Sequence, residues 1–358
     1  MSAWDWFHEF ERNALRKNDR ERLRLCQSYH QGYQLREKDP DQAFAIFSEA
    51  RHLAQQLGES WMVLFYDEWR ATALLHFKRD YRNVLDLAVQ AALEVRKPQY
   101  ATYEGRFGIF DNLIAAYLGI DPGGYADAVQ QAMDYLDKEL PQEPESHRYL
   151  LCARRRIFCL EQNRYDEALD WSLKELALAD GDRDRSRAEH FQVFVYCALC
   201  QIAGARGEWD NLEEWSATGD TITRRVGHQV ELSELIAWRA VVARKSGEEE
   251  KAMRLARSSA ARQKAQRMPP GRGFYEALCL YHELGGDLTN VLAVRDRELK
   301  DVSGWGRFLT EARCRVNRCK LLARMGQPLA AELEAAREAV AKLREPRPLL
   351  AELATIAE

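Results

Sequence analysis

Apolar residues recur along most of the chain at the three- and four-residue spacing of an amphipathic helix. Leu85, Ala88, Val89 and Ala92 show the pattern, since all four would lie on one face of a helix. Short polar or glycine-containing breaks interrupt it, and all ten prolines fall within these breaks. Proline inside a helix costs about 3 kcal/mol. The pattern therefore predicts a series of helices joined by short turns.

A short phrase recurs at every second break. It has a glycine or polar residue, an aromatic or small residue two positions later, and alanine or another apolar residue after three more, as in Asn163-Arg164-Tyr165-Asp166-Glu167-Ala168. The third position of the phrase falls at residues 40, 81, 125, 165, 209, 249, 288 and 328, a period near 41. A sustained period of this length indicates repeats. Each unit has room for two helices and two short turns.

These phrases resemble the tetratricopeptide-repeat family in a longer-period form, because G-x-Y-x-x-A begins the second helix of that family's repeat. The family also places a small residue nine positions before the aromatic, and six of the eight residues there are small. They are Gln31, Thr72, Ala116, Arg156, Cys200, Ala240, Cys279 and Cys319. The resemblance implies an all-α fold, a right-handed α-solenoid of about eight antiparallel helix pairs. HEAT repeats share this period range, but the aromatic-x-x-Ala phrase argues against them.

The resemblance covers residues 20–345 and leaves a flank at each end. Residues 1–19, with Trp6 and Phe7, suggest an amphipathic helix, and residues 346–358 suggest another. Stacked repeats need polar caps because a terminal unit would otherwise expose its apolar face. We expect both flanks to be capping helices, although they could equally bind a partner.

In this family the first helices of the pairs line a concave groove. The family's register assigns a set of residues to that groove: Tyr66, Trp69, Phe110, Asn112, Leu113, Tyr117, Phe194, Gln201, Glu234, Arg313 and Lys320. The groove would be apolar and aromatic through the earlier repeats and more charged in the later ones, which suits an amphipathic helix or an extended peptide. Alternatively, a tightly wound superhelix would bury these residues as core.

Composition supports an all-helical, cytoplasmic protein. Val, Ile and Thr together supply 33 residues and Ala alone 47, which disfavours sheets. The net charge of −4 excludes a strongly basic nucleic-acid binder. We expect no membrane span because no long apolar stretch occurs. The amino terminus is acidic where a secretion signal would be basic, so we expect a cytoplasmic and bacterial protein.

Residues that could carry chemistry are scattered. The chain has no phosphate-binding, dinucleotide-binding, serine-hydrolase or zinc-protease motif. Cys197 and Cys200 have half of a zinc-site spacing, but no second Cys or His pair completes it. We expect these cysteines to be packing residues. The sequence predicts no enzyme activity, no cofactor and no metal.

Positive charge is concentrated in one stretch. Residues 244–272 contain nine basic and three acidic residues. Within it, six residues are predicted to form a basic patch: Lys251, Arg254, Arg257, Arg262, Lys264 and Arg267. Such a run is usually a solvated helix face, and the other interpretations are an acidic protein partner or, less expected, nucleic acid.

The repeats and the missing catalytic motifs favour a non-enzymatic scaffold or adaptor that binds a protein or peptide segment in its groove. Two alternatives stay open. One is a regulatory sensor that changes shape when a small molecule or signalling peptide binds. The other, less expected, is nucleic-acid binding through the basic helix faces.

Overall fold

A computed structural model describes residues 5–36, 38–139, 145–266 and 270–357. Its described residues form helices and turns, with no strand. The α-helices are α1 (Asp5–Arg16), α2 (Arg20–Leu35), α3 (Pro40–Gln56), α4 (Ser60–Thr72), α5 (Tyr81–Val95), α6 (Arg106–Ile120), α7 (Ala126–Glu139), α8 (Glu145–Glu161), α9 (Tyr165–Gly181), α10 (Arg185–Arg206), α11 (Trp209–Val226), α12 (Gln229–Lys245), α13 (Glu249–Lys264), α14 (Arg272–Leu284), α15 (Leu288–Val302), α16 (Phe308–Arg324), α17 (Ala330–Val340) and α18 (Arg347–Ala357). A π-helical segment, Ala73–Lys78, continues α4, and a 3₁₀ turn, Pro98–Tyr100, precedes α6.

The chain divides into two compact units. Unit 1 comprises Met1–His147 together with Gly304–Arg307. Unit 2 comprises Arg148–Ser303 and Phe308–Glu358. In unit 1 the helix pairs α2–α3 and α5–α6 pack together, and α4 also packs against α6. In unit 2 the pairs α10–α11 and α12–α13 pack together, and α10, α12 and α14 contact one another.

The recurring phrase marks the beginning of every second helix. The odd-numbered helices from the third onward each begin within two residues of the phrase's third position: α3, α5, α7, α9, α11, α13, α15 and α17. Asp39 and Asp80 accept hydrogen bonds from the backbone N–H of Gln42 (3.0 Å) and Asn83 (3.2 Å), which caps α3 and α5. The all-α solenoid of helix pairs predicted from the sequence is therefore confirmed.

The small residue of the phrase allows close helix packing, as expected. Ala168 of α9 and Ala252 of α13 have no exposed surface. The fourth repeat departs from the family pattern at Arg156, which is buried beside the fully buried Glu175 with Nε and Oε2 3.1 Å apart. Here a buried ion pair occupies the place of a small residue.

The first helix packs its aromatic face into unit 1. Phe7 is fully buried and stacks on Phe65 with ring centroids 5.0 Å apart. Trp6 makes edge contacts with Trp61 and Tyr103. These contacts support a covering role for α1, while the division into two caps and eight repeats stays a proposal. No helix among the described residues combines the length and apolar character needed to cross a membrane.

Candidate binding site

The structure places four of the predicted groove residues of unit 1 in the core. Tyr66 and Phe110 have no exposed surface, and Asn112 and Leu113 are nearly covered. The Tyr66 hydroxyl donates to the backbone carbonyl of Leu25. The Asn112 amide donates to the Glu68 carbonyl and to Thr72 Oγ1, each at 3.1 Å. The bonds of Tyr66 and Asn112 join α4 to its neighbours, and burial leaves all four side chains little surface for a partner.

Two predicted groove residues of unit 1 keep some exposure. Trp69 lies among aromatic rings, with the Tyr29 and Tyr33 centroids 5.3 and 5.5 Å away. Tyr117 stacks on Tyr125 at 4.7 Å. Both remain partly exposed, and their part in binding stays a prediction.

In unit 2 the predicted groove residues differ in their solvent exposure. Glu234 is buried against the first turn of α14, and burial raises its pKa to about 7. Phe194, Gln201 and Arg313 are partly exposed. Lys320 is exposed and pairs with Glu352 at 2.6 Å. Glu234 is therefore a core residue, like the four in unit 1.

The predicted basic patch lies on α13, except for Arg267, which falls outside the described residues. Lys251 pairs with Glu248 at 3.0 Å, and Arg262 donates to Gln229 at 3.3 Å. Lys264 is exposed. Arg254 and Arg257 are exposed and form no ion pair with any residue in the described ranges.

A pocket in unit 2 brings together residues from several repeats. We call it the inner pocket, and it is a cavity of about 200 Å³. It lies between α10, α12 and α14, with α9 and α15 contributing at its edge. Its lining includes Tyr165, Gln201, Gly204, Ala205, Trp238, Arg272, Glu276, Cys279, Leu280, Glu283 and Arg295. Only Gln201 among these belongs to the predicted groove set.

A network of paired charges extends from this pocket. Arg313 Nη1 lies 2.9 Å from Glu161 Oε2, and Arg272 Nη1 lies 3.6 Å from the same oxygen. Arg295 pairs with Glu276 at 2.8 Å and with Glu298 at 2.7 Å. Guanidinium groups suit such sites because their planar donors can serve two carboxylates at once.

Burial and pairing compete in setting the charges of the network. Burial acts to raise the pKa of Glu276, but Arg295 and Arg272 outweigh it and hold that pKa below its ordinary value. Burial lowers the pKa of Arg313, although Glu161 opposes the shift. For Arg272 burial is outweighed by Glu161 and Glu276, so its pKa is raised. The pocket wall therefore presents charges of both signs at neutral pH.

The inner pocket keeps hydrogen-bonding capacity for a ligand. Arg272 Nη1 is buried, and its carboxylate partner Glu161 Oε2 lies 3.6 Å away, beyond hydrogen-bond distance. The Gln201 side chain is partly exposed at the same cavity. A peptide group can both accept a hydrogen bond from the Gln201 amide and donate one to it.

The cysteines are unsuited to nucleophilic chemistry in this fold. Burial raises the pKa of every one of the eight thiols, to about 12 for Cys26 and Cys279 and to about 11 for Cys152 and Cys319. A thiol with such a pKa is almost entirely protonated at neutral pH, and the thiolate is the nucleophile. No group of three or more His, Cys, Asp or Glu residues in the described ranges is arranged to hold a metal.

Sequence reasoning missed most of the inner pocket. Trp238, Arg272 and Arg295 carry no motif, and Glu161 is 152 positions before its partner Arg313. The one available signal was the first-helix register, which predicted Gln201 as a groove residue. An ion pair between residues so far apart in sequence can be recognised only in the folded structure, where the repeats are stacked.

Comparison with known proteins identifies a fold but no family. No family model matches the chain, and no curated protein matches it. A crystal structure of a Rap protein complexed with competence and sporulation factor superposes with a TM-score of 0.51 and 13% sequence identity. The match covers 93% of this chain and 99% of that one. At this identity the likeness establishes a shared helical-repeat fold and supports the predicted tetratricopeptide-like repeats.

Proposed function

We propose that this chain is a non-enzymatic scaffold that binds a peptide or an extended protein segment, and that the inner pocket of unit 2 anchors it. The observation that carries this proposal is the convergence of three first helices on a cavity where a partly exposed amide, Gln201, lies beside the charged side chains of Arg272, Glu276 and Arg295. The likeness to a Rap protein complexed with a factor supports a binding role for the same fold.

The size of the pocket favours an anchor residue over a whole small ligand. Pockets for drug-sized molecules usually enclose about 300–1,000 Å³, and the inner pocket encloses about 200 Å³. That volume accepts one or two residues of a longer chain. The rest of the segment would then extend along the first helices, as repeat proteins commonly arrange.

The mixed charge of the wall points to a ligand with its own dipoles. Arg272 and Arg295 face Glu276 around the cavity, so a peptide backbone or a side-chain amide can donate on one side and accept on the other. A ligand of one charge alone would face like charge on part of the wall, which is costly.

The test is affinity capture of peptides from the native lysate by the full chain and by Ala205→Trp. Ala205 is exposed at the end of α10 and lines the inner pocket. The indole should fill the mouth of the cavity without disturbing the fold. We expect the wild type to retain a defined segment whose recovery falls by about tenfold or more in the variant.

Ala217→Trp is the matched control, because Ala217 is an exposed alanine of α11 away from the inner pocket. It should recover the segment as the wild type does. Equal recovery by all three proteins would place binding elsewhere and overturn the assignment of the pocket. If no segment is retained by the wild type, the scaffold proposal itself fails.

A further inference from the structure

A second cavity lies in unit 2, between α13, α14 and α15. We call it the outer groove, and it encloses about 520 Å³. Phe274, Leu278 and Tyr281 of α14 form its floor, and small residues such as Ala260 of α13 and Ala293 of α15 line its walls. The alanines leave the space open because their side chains end at Cβ.

The outer groove is elongated. Its lining runs from Met253 to Ala260 on α13 and from Asn290 to Arg297 on α15. Seven residue steps of a helix cover about 10 Å, so the walls extend for two helical turns. A groove of this form fits a segment of polypeptide better than a compact small molecule.

Positive charge is distributed along the whole length of the outer groove. The Arg244 guanidinium lies 4.5 Å from the Tyr281 ring centroid at one end, and Arg297 lies 6.0 Å from Phe274 at the other. Arg257 is exposed on the wall between them.

Carboxylates neutralise only part of this charge. Asp287 is the single carboxylate among the described residues that line the groove. Glu249 and Asp301, which are not lining residues, lie 3.2 Å from Arg244 and 3.7 Å from Arg297. Arg257 has no such partner in the described ranges. Among the lining residues themselves, three arginines face one carboxylate, and Arg257 is the arginine that no neighbouring carboxylate offsets.

We infer that the outer groove binds an acidic amphipathic helix of a partner protein. Its apolar residues would enter between α13 and α15 above Leu278, and a carboxylate would pair with Arg257, with Arg244 and Arg297 adding positive charge at the two ends. A nucleic acid fits less well, because bases need exposed rings to stack on. Phe274, Tyr275 and Tyr281 expose only 0, 2 and 6% of their surface.

The experiment is selection from a displayed library of random peptides about 15 residues long, or four helical turns, on the full chain and on Ala293→Trp. Ala293 is exposed, so its indole should block the groove and leave the fold intact. We expect peptides that the wild type retains and the variant loses to be enriched in Asp and Glu beside apolar residues at helical spacing.

The selected peptide is then measured against two charge reversals on α13. Arg257→Glu should weaken binding by about tenfold or more, and higher salt should reduce the difference. Arg254→Glu, an exposed arginine one turn earlier that does not line the groove, should have a much smaller effect.

Three results would overturn the inference. The first is that no peptide is retained by the wild type and lost by Ala293→Trp. The second is that such peptides are found but contain no acidic residues. The third is that Arg257→Glu and Arg254→Glu weaken binding of the selected peptide equally. Salt-sensitive binding of a single-stranded oligonucleotide that Arg257→Glu and Ala293→Trp abolish would instead assign the groove to nucleic acid. Ala205→Trp should retain the acidic peptide, which separates this groove from the inner pocket.

Discussion

At the scale of single residues, burial determines whether a side chain can contact a partner. Glu234 and Gln201 were both expected to face a partner, yet Glu234 is 9% exposed while Gln201 reaches a cavity. Glu234 lies where a Cβ on Gly273 would come within 2.0 Å of its Oε1, so the glycine makes room for the carboxyl group. The carboxyl is thus a packing element of α12 and α14.

The raised pKa of Glu234 makes stability depend on pH. Its pKa rises from an ordinary 4.5 to about 7 in the folded state, because of burial and then Glu231. The folded state therefore holds the proton more tightly, and stability is lost as pH rises between these values. Glu234→Gln should flatten this part of the stability curve, measured by denaturant unfolding at several pH values. The exposed Glu213→Gln is the control, and an unchanged slope in Glu234→Gln would contradict the prediction.

At the scale of helices, short-range signals account for where each element begins. Asp39 and Asp80 cap their helices through local hydrogen bonds, and a glycine or polar residue breaks the preceding helix. These effects depend on neighbours within a few positions, so they are readable in sequence. The tight contact between paired helices follows from the alanine of the phrase.

Ala252 tests that contact. It has no exposed surface and lies in the apolar core between α12, α13 and α14. Ala252→Leu should overpack this core and cost about 1–3 kcal/mol of unfolding free energy. The exposed Ala217→Leu on α11 should change stability by less than about 0.5 kcal/mol. Equal melting temperatures for the two variants would show that the assigned register is wrong.

At the scale of the whole molecule, stacking unites charges that are far apart in sequence. Within unit 2, Glu161 at the end of α8 meets Arg272 of α14 and Arg313 of α16. This network and the inner pocket next to it exist only when the repeats of unit 2 are assembled. The proposed binding function rests on that assembly.

Removing Glu161 should therefore cost more than removing an exposed partner. Glu161→Gln leaves two partly buried guanidinium groups without their shared carboxylate, and we expect a loss of about 2–3 kcal/mol. Glu352→Gln breaks the exposed pair with Lys320, where both side chains are over 40% exposed, and should cost under about 1 kcal/mol. Urea unfolding measures the free energy of unfolding of both variants. Similar losses in the two would contradict a structural role for the network.

The sequence by itself determined the helix pairs, their period and their beginnings. Proline, aspartate caps and the aromatic-x-x-Ala phrase act on residues within a few positions. Their spacing can therefore be read from the sequence without knowledge of the fold. Only the tertiary structure decided which first-helix residues stay accessible. Tyr66 and Phe110 became core, and Gln201 came beside Arg272. The rotation of each helix against the next determines exposure, and that rotation arises from packing between repeats about 40 residues apart.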